Sequence, residues 1–164
     1  MVNAVKIVIN SSPLIFLGKL EFLELFLETE DEFYVPTAVI EEIQAKDDLI
    51  ISVINPLIET GKLQVRRTTL LSLLNRINQS LGQGESEAIS LATELQADYI
   101  ILDDLAARKQ AINLGLNVKG TLGIIKKLTQ TGKINIADKN ELYQKLRDIN
   151  FRVSRSVFEG IFLN

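Results

Sequence analysis

The residues of this chain best suited to chemistry are carboxylates and amides that follow apolar, β-branched runs. The run at 5–9 ends in Asn10-Ser11-Ser12-Pro13, and the run at 99–102 ends in Asp103-Asp104. Glu41-Glu42 lies early in a helix after a third run, while Glu85 and Glu87 open the helix that feeds the aspartate pair. In an open parallel sheet, ligands bind beyond the carboxyl ends of the strands, near the point where strand order reverses. These four groups of residues could therefore converge on one sheet edge and form an acidic cleft. Each also has an ordinary structural use. Glu85 and Glu87 complement a helix dipole, Asp103 or Asp104 caps the next helix, Glu41-Glu42 sits on a solvated face, and Asn10 serves a turn.

Composition narrows the chemistry further. The chain has no cysteine, which removes disulfides, thiolate catalysis and cysteine-ligated metals. It has no histidine either, which removes serine–histidine hydrolysis, histidine-ligated zinc and histidine phosphotransfer. Carboxylate chemistry is what remains. With 21 acidic and 18 basic residues and a formal net charge of −3, the protein lacks a general basic field, so any contact with nucleic acid must use local patches. Its 164 residues, 46% hydrophobic and 24% charged, suit one globular domain with its own core. No apolar run reaches membrane-spanning length, and the opening MVNAVKIVINSSPL passes from a β-branched run straight into a turn. A cytoplasmic protein without an export signal and without a membrane partner is expected.

The elements that must position these residues follow from periodicity. Short buried strands are expected at 5–9, 33–35, 99–102 and 117–119. Pro13 suits the first turn of a helix capped by Ser11 or Ser12, followed by an amphipathic stretch at 21–27. Pro36-Thr37 opens a helix carrying Val39, Ile40 and Ile43. The stretch from about 45 to 82 reads as an insertion of two helices around an edge strand, LQVRR. Gly82-Gln83-Gly84 then breaks the chain before a helix at 85–95, and further helices are expected at 105–114, after Gly120-Thr121, and near 141–147 and 156–162. Strands alternating with helices predict one α/β domain over 1–164, with a mainly parallel, twisted sheet between helical layers. The strands at 5–9 and 99–102, both fully apolar, are expected to be neighbours.

Four stretches carry a resemblance: IVINSSPLIFLGKL at 7–20, VPTAVIEEI at 35–43, GQGESEAISLATELQADYIILDD at 82–104, and VKGTLGIIKK at 118–127. In order and wording they resemble the PIN nuclease superfamily, and within it the toxin-like (VapC-like) subgroup of prokaryotic toxin–antitoxin pairs. The resemblance implies a three-layer PIN-like domain and a metal-dependent ribonuclease. Carried over by position, the site would be Asn10, Glu42, Glu87 and Asp104 around Mg2+ or Mn2+, with Asp103 as the rival of Asp104. Asn10 stands where most PIN nucleases have aspartate, a departure the toxin-like subgroup shares. Magnesium takes oxygen ligands and keeps several waters, so one or two direct carboxylates suffice. Ser12, Arg108 and Thr121 are candidates for contact with substrate, although Arg108 also suits a salt bridge at i,i+4 from Asp104 and Thr121 suits a helix cap. Arg66-Arg67 and Lys126-Lys127 are candidates for phosphate contacts.

The partners implied are an RNA substrate, a small antitoxin that inserts a basic residue, and a second copy in a homodimer. A catalytically silent PIN-like module that binds nucleic acid or a partner is the competing reading, and Asn10 favours it. A phospho-acceptor domain, suggested by Asp103-Asp104, ranks below both, because the chain lacks an acidic pair after its first strand and a glycine-rich phosphate loop.

Overall fold

Alternating apolar runs and amphipathic stretches do build a doubly covered sheet. The computed structural model describes residues 4–163. Strands β1 (Lys6–Ile9), β2 (Glu32–Pro36), β3 (Gln64–Arg66), β4 (Tyr99–Ile101) and β5 (Val118–Lys119) form one sheet in the order β3-β2-β1-β4-β5. All neighbouring pairs are parallel. The connections are filled by α1 (Ser11–Lys19), α2 (Leu23–Leu27), α3 (Thr37–Lys46), α4 (Asp48–Glu59), α5 (Leu71–Ile77), α6 (Gln83–Leu95), α7 (Leu105–Asn113) and α8 (Thr121–Gln130). Helices α9 (Lys139–Asp148) and α10 (Arg155–Phe162) close the chain. Strand order reverses at β1, whose neighbours are β2 on one side and β4 on the other. As expected, the strands carrying Asn10 and the aspartate pair lie side by side, with Val8 opposite Ile100 and Ile9 opposite Ile101.

Successive side chains of a strand point to opposite faces, which divides the core in two. Ile7, Ile9, Phe33, Val35 and Ile101 pack on one face with residues of α1, α3, α4 and α8. Val8, Tyr34, Ile100 and Leu102 pack on the other with Ile89 and Ala92 of α6 and Ala107 and Ala111 of α7. Cover on both faces is why the strands read as unbroken apolar runs instead of alternating ones. Phe158 and Phe162 of α10 and Leu142 and Leu146 of α9 join the first face, so the C-terminal helices are docked by core contacts. Each side chain buried in this way contributes about 1.5–3 kcal/mol relative to an exposed one, before conformational entropy is subtracted.

Within 45–82 the two helices appear as α4 and α5, and LQVRR gives β3, which joins the sheet beside β2. Two helix starts differ from the sequence reading. Asn10, not Ser11 or Ser12, is the N-cap residue of α1, because its backbone is already extended while its carbonyl accepts from Leu14 N–H at 3.3 Å. Pro13 falls in the first turn, where its missing N–H leaves no bond unmade. Helix α6 begins at Gln83, ahead of the expected 85, and takes Gly84 into its first turn. A Cβ on that glycine would lie 2.9 Å from Glu42 Oε2, so α3 and α6 approach closely there.

Candidate active site

At the carboxyl end of β1, Asn10 is 3% exposed, and its amide N–H donates to the Ile101 carbonyl at 3.1 Å. The backbone is thereby tied to the neighbouring strand. Its side-chain Oδ1 is buried with no hydrogen-bond partner. An unpartnered buried amide oxygen costs about 1–3 kcal/mol, so a donor or cation arriving at this edge would recover some of that cost. Ser12, two residues on, lines the recess that also receives Asp103 and Asp104.

The two aspartates after β4 have separate occupations. Asp103 Oδ1 accepts from Thr121 N–H at 2.8 Å, and its Oδ2 accepts from the Thr121 hydroxyl at 2.6 Å. Burial pushes its pKa up, and the Thr121 bonds and the charge of Arg108 only partly offset this. Asp103 is thus a latch between β4 and the start of α8. Gly120 lets the parts close: a Cβ there would lie 2.7 Å from an Arg108 guanidinium nitrogen and 3.1 Å from Asp103 Oδ1. Thr121 is wholly buried and is the first residue of α8, not its cap and not open to substrate, and Asp103 accepts from its own N–H and hydroxyl. Arg108 does not pair with Asp104. It turns back to donate to the Leu102 carbonyl at 3.2 Å.

Asp104 is the exposed member of the pair. Its Oδ2 caps α7 by accepting from Ala107 N–H at 3.0 Å, and its carboxylate acts on Glu85. Burial comes first among the causes that raise the Glu85 pKa, the negative charge of Asp104 second, and Glu42 adds to the rise. A bond from Gly82 N–H to Glu85 Oε1, 3.4 Å, opposes it. Glu42 in turn meets Lys46 at 3.4 Å, one helical turn on. Glu42, Glu85 and Asp104 therefore share one field of negative charge, brought together by α3, α6 and the end of β4.

Glu87 lies elsewhere. It is 5% exposed, and one of its carboxylate oxygens has no hydrogen-bond partner. Burial raises its pKa most; Arg67 draws it down and Glu41 pushes it up. Its charged company belongs to the β3 side of the sheet. Residues two apart stand about 200° apart around a helix, so Glu85 and Glu87 cannot both face Asp104. The resemblance passes over Glu85. The signal that could have found it is Gly82: with the cap there, Glu85 falls at the third helical position, from which a glutamate reaches back over the helix start.

Among the described residues, no three acidic side chains approach one point closely enough to hold a metal ion alone. Magnesium asks for less, since it binds through one or two carboxylates and keeps its waters. The orphaned Asn10 Oδ1 and the carboxylates of Glu85, Glu42 and Asp104, the last two acting on the first, are the oxygen chemistry that such a cation takes.

The family model described as "DUF3368: PIN domain" matches residues 6–163, and the chain belongs to that family. PIN domains are generally metal-dependent nucleases. One solved structure similar to this chain is a PilT N-terminus domain protein from the hyperthermophilic archaeon Sulfolobus solfataricus P2. It has 21% identity and a TM-score of 0.48, over 82% of this chain and 99% of that one. No curated protein matches the chain. Among the described residues, no helix is long and apolar enough to cross a membrane.

Proposed function

We propose that this PIN domain is a divalent-metal-dependent endoribonuclease and the toxin of a prokaryotic toxin–antitoxin pair. The observation that carries the nuclease reading is the shared negative field of Glu42, Glu85 and Asp104 at the carboxyl end of β4, next to β1 with the unpartnered amide of Asn10. These residues would hold Mg2+ or Mn2+, which when bound activates water and offsets charge on a phosphodiester. Asp104 is held at the edge by its cap bond to Ala107 N–H, which fixes one oxygen and leaves the rest of the carboxylate to face Glu85. Glu85 feels the charge of both other acids, which raises its pKa without metal, and a bound cation would favour its charged form. Of the two α6 acids, Glu85 is assigned to the site and Glu87 to the β3 side. Ser12 and Arg108 line the neighbouring recess, which supports a contact of either with substrate oxygens, Arg108 through the donors that its bond to the Leu102 carbonyl does not use.

The toxin role rests on the sequence resemblance, as do inhibition by a small antitoxin offering a basic residue and a homodimer in solution. Purified protein is expected to cleave single-stranded RNA in Mg2+ or Mn2+ and not in chelator. Asp104→Asn should abolish cleavage with folding intact, and Asn10→Asp should tighten metal binding by adding a charge. Induced expression in a bacterial host should arrest growth, and Asp104→Asn should relieve the arrest.

A second reading, a silent module that binds RNA or a partner, is favoured by the amide at Asn10 and by the engagement of Glu42 with Lys46. If no RNA is cleaved in either metal and Asn10→Asp creates no activity, this reading replaces the first.

A further inference from the structure

Beside the acidic edge opens a recess of about 1140 Å³ that the acids do not account for. Ser12, Asp103 and Asp104 stand at it, so a chain crossing the acidic edge is led in. Its lining carries five cations, Arg108, Lys119, Lys126, Lys127 and Arg152, against the two carboxylates of Asp103 and Asp104. This is the reverse of the whole protein, whose formal charge is −3. None of the five takes part in an ion pair among the described residues, and Arg108 alone is tied back, to the Leu102 carbonyl. Lys119 is set over the Tyr99 ring at 4.1 Å. Apolar surface from Phe16, Val157 and Ile161 adjoins the cations.

The C-terminal segment builds one wall. Asn150, with φ 65°, turns the chain between α9 and α10. Phe151 then packs edge-on against Phe16 of α1 at 4.9 Å, and this anchor carries Arg152 to the recess.

We infer that the recess beside Asp104 seats an unstacked nucleotide of single-stranded RNA, its phosphates met by Lys126, Lys127 and Arg152 and its base by the apolar wall of Phe16, Val157 and Ile161. This inference rests on the ribonuclease reading and names the form of its substrate. A nucleotide joins an anion to a flat, largely apolar ring, which matches a lining of unpaired cations beside exposed aliphatic surface. The volume is about that of a small-ligand pocket. Duplex RNA keeps its bases stacked inside and its deep groove closed to side chains, whereas single strands splay bases into pockets. Residues 150–161 thereby choose which RNA reaches the acids.

The test measures binding of a fluorescein-labelled single-stranded RNA of mixed sequence by anisotropy, in chelator, with the full chain. Lys127→Glu with Arg152→Glu should raise Kd by about tenfold or more and reduce the salt slope by about 1.4, since each phosphate contact on a single strand contributes about 0.7. The milder pair Lys127→Gln with Arg152→Gln should move both in the same direction by less, and circular dichroism should show both variants folded. A duplex of the same sequence should bind more weakly, and Asp104→Asn should bind at least as well as the parent. Unchanged Kd in both double variants overturns the inference, as does a duplex that binds equally well or an acidic peptide that displaces the RNA. Loss of cleavage without loss of binding in Asp104→Asn supports both proposals. RNA that binds through Lys127 and Arg152 in a protein that never cleaves leaves the pocket standing and removes the nuclease. Cleavage with unchanged KM and kcat in the double variants does the opposite.

Discussion

Glu85 and Glu87 stand two residues apart on one helix and keep different company. Glu85 is turned toward Asp104 and Glu42, and like charge is among the causes that raise its pKa. Glu87 is buried on the side of Arg67 and Glu41, with an oxygen left unpaired. The same residue type, in the same element, thus feels two like charges in one case and a cation and a like charge in the other. What separates them is the helical period acting on a start fixed by Gly82. An acid's neighbours across the sheet edge, more than its place in a motif, decide its chemistry.

The largest expected effect breaks this comparison at its sharpest point. Glu85→Gln should lower metal-dependent cleavage by about 100-fold, on the scale at which removing one electrostatic group from an active site costs 10²–10³. Glu87→Gln should lower it less than about threefold, because its neutral isostere leaves the Asp104 field unchanged. Steady-state cleavage of one RNA by both variants decides. Equal losses, or a greater loss in Glu87→Gln, would return the site to the residue named by the resemblance.

A second effect separates the two aspartates after β4, one latched to α8 and one capping α7. Asp103→Ala removes the acceptor of both the Thr121 N–H and the buried Thr121 hydroxyl. It should destabilise the fold by about 2–3 kcal/mol, since each buried donor left unpaired costs about 1–3. Asp104→Ala loses a helix cap and should cost about 1 kcal/mol. Urea titration followed by circular dichroism gives both numbers. A stability loss in Asp104→Ala equal to that in Asp103→Ala would show that the latch is not where the bonds place it.

Much of this was legible in the sequence. The apolar runs at 5–9 and 99–102 fixed two central strands and their adjacency, since only strands covered on both faces read so uniformly. The polar residues after them marked the sheet edge, and Asn10, Glu42 and Asp104 stand along it. The division between Asp103 and Asp104 was not legible, because it depends on Thr121 arriving from a helix 18 residues away. The surroundings of Glu85 were hidden because Gly84 reads as a break, whereas it lies in the first turn of α6, where a Cβ would meet the mobile end of the Glu42 side chain at 2.9 Å. Of the cationic recess the sequence offered only Lys126-Lys127, alongside Arg66-Arg67, which do not line it; Lys119 and Arg152 come from β5 and the turn before α10, and only the fold brings them together.

The smallest effect is a pH dependence, and its sign tests the shared field without any catalysis. The folded-state pKa of Glu85 lies above its ordinary value, so folding favours the protonated acid. The stability this contributes is fully present below the unfolded pKa and is lost as pH rises through the folded pKa. Glu85→Gln is neutral throughout and keeps it. Without metal, parent and variant should therefore melt alike below the unfolded pKa of a glutamate, and at pH 7 the variant should melt higher. Asp104→Asn, which removes the second cause of the raised pKa, should shrink the gap between parent and Glu85→Gln when the two changes are combined. Mn2+ should shrink it from the other side, by stabilising the charged parent through mass action while leaving the variant behind. Thermal melts of the four proteins at two pH values, with and without Mn2+, give the answer. A variant that melts lower than the parent at pH 7 in chelator would mean that Glu85 is held by bonds favouring its charge, and the repulsive cluster with Glu42 and Asp104 would not exist.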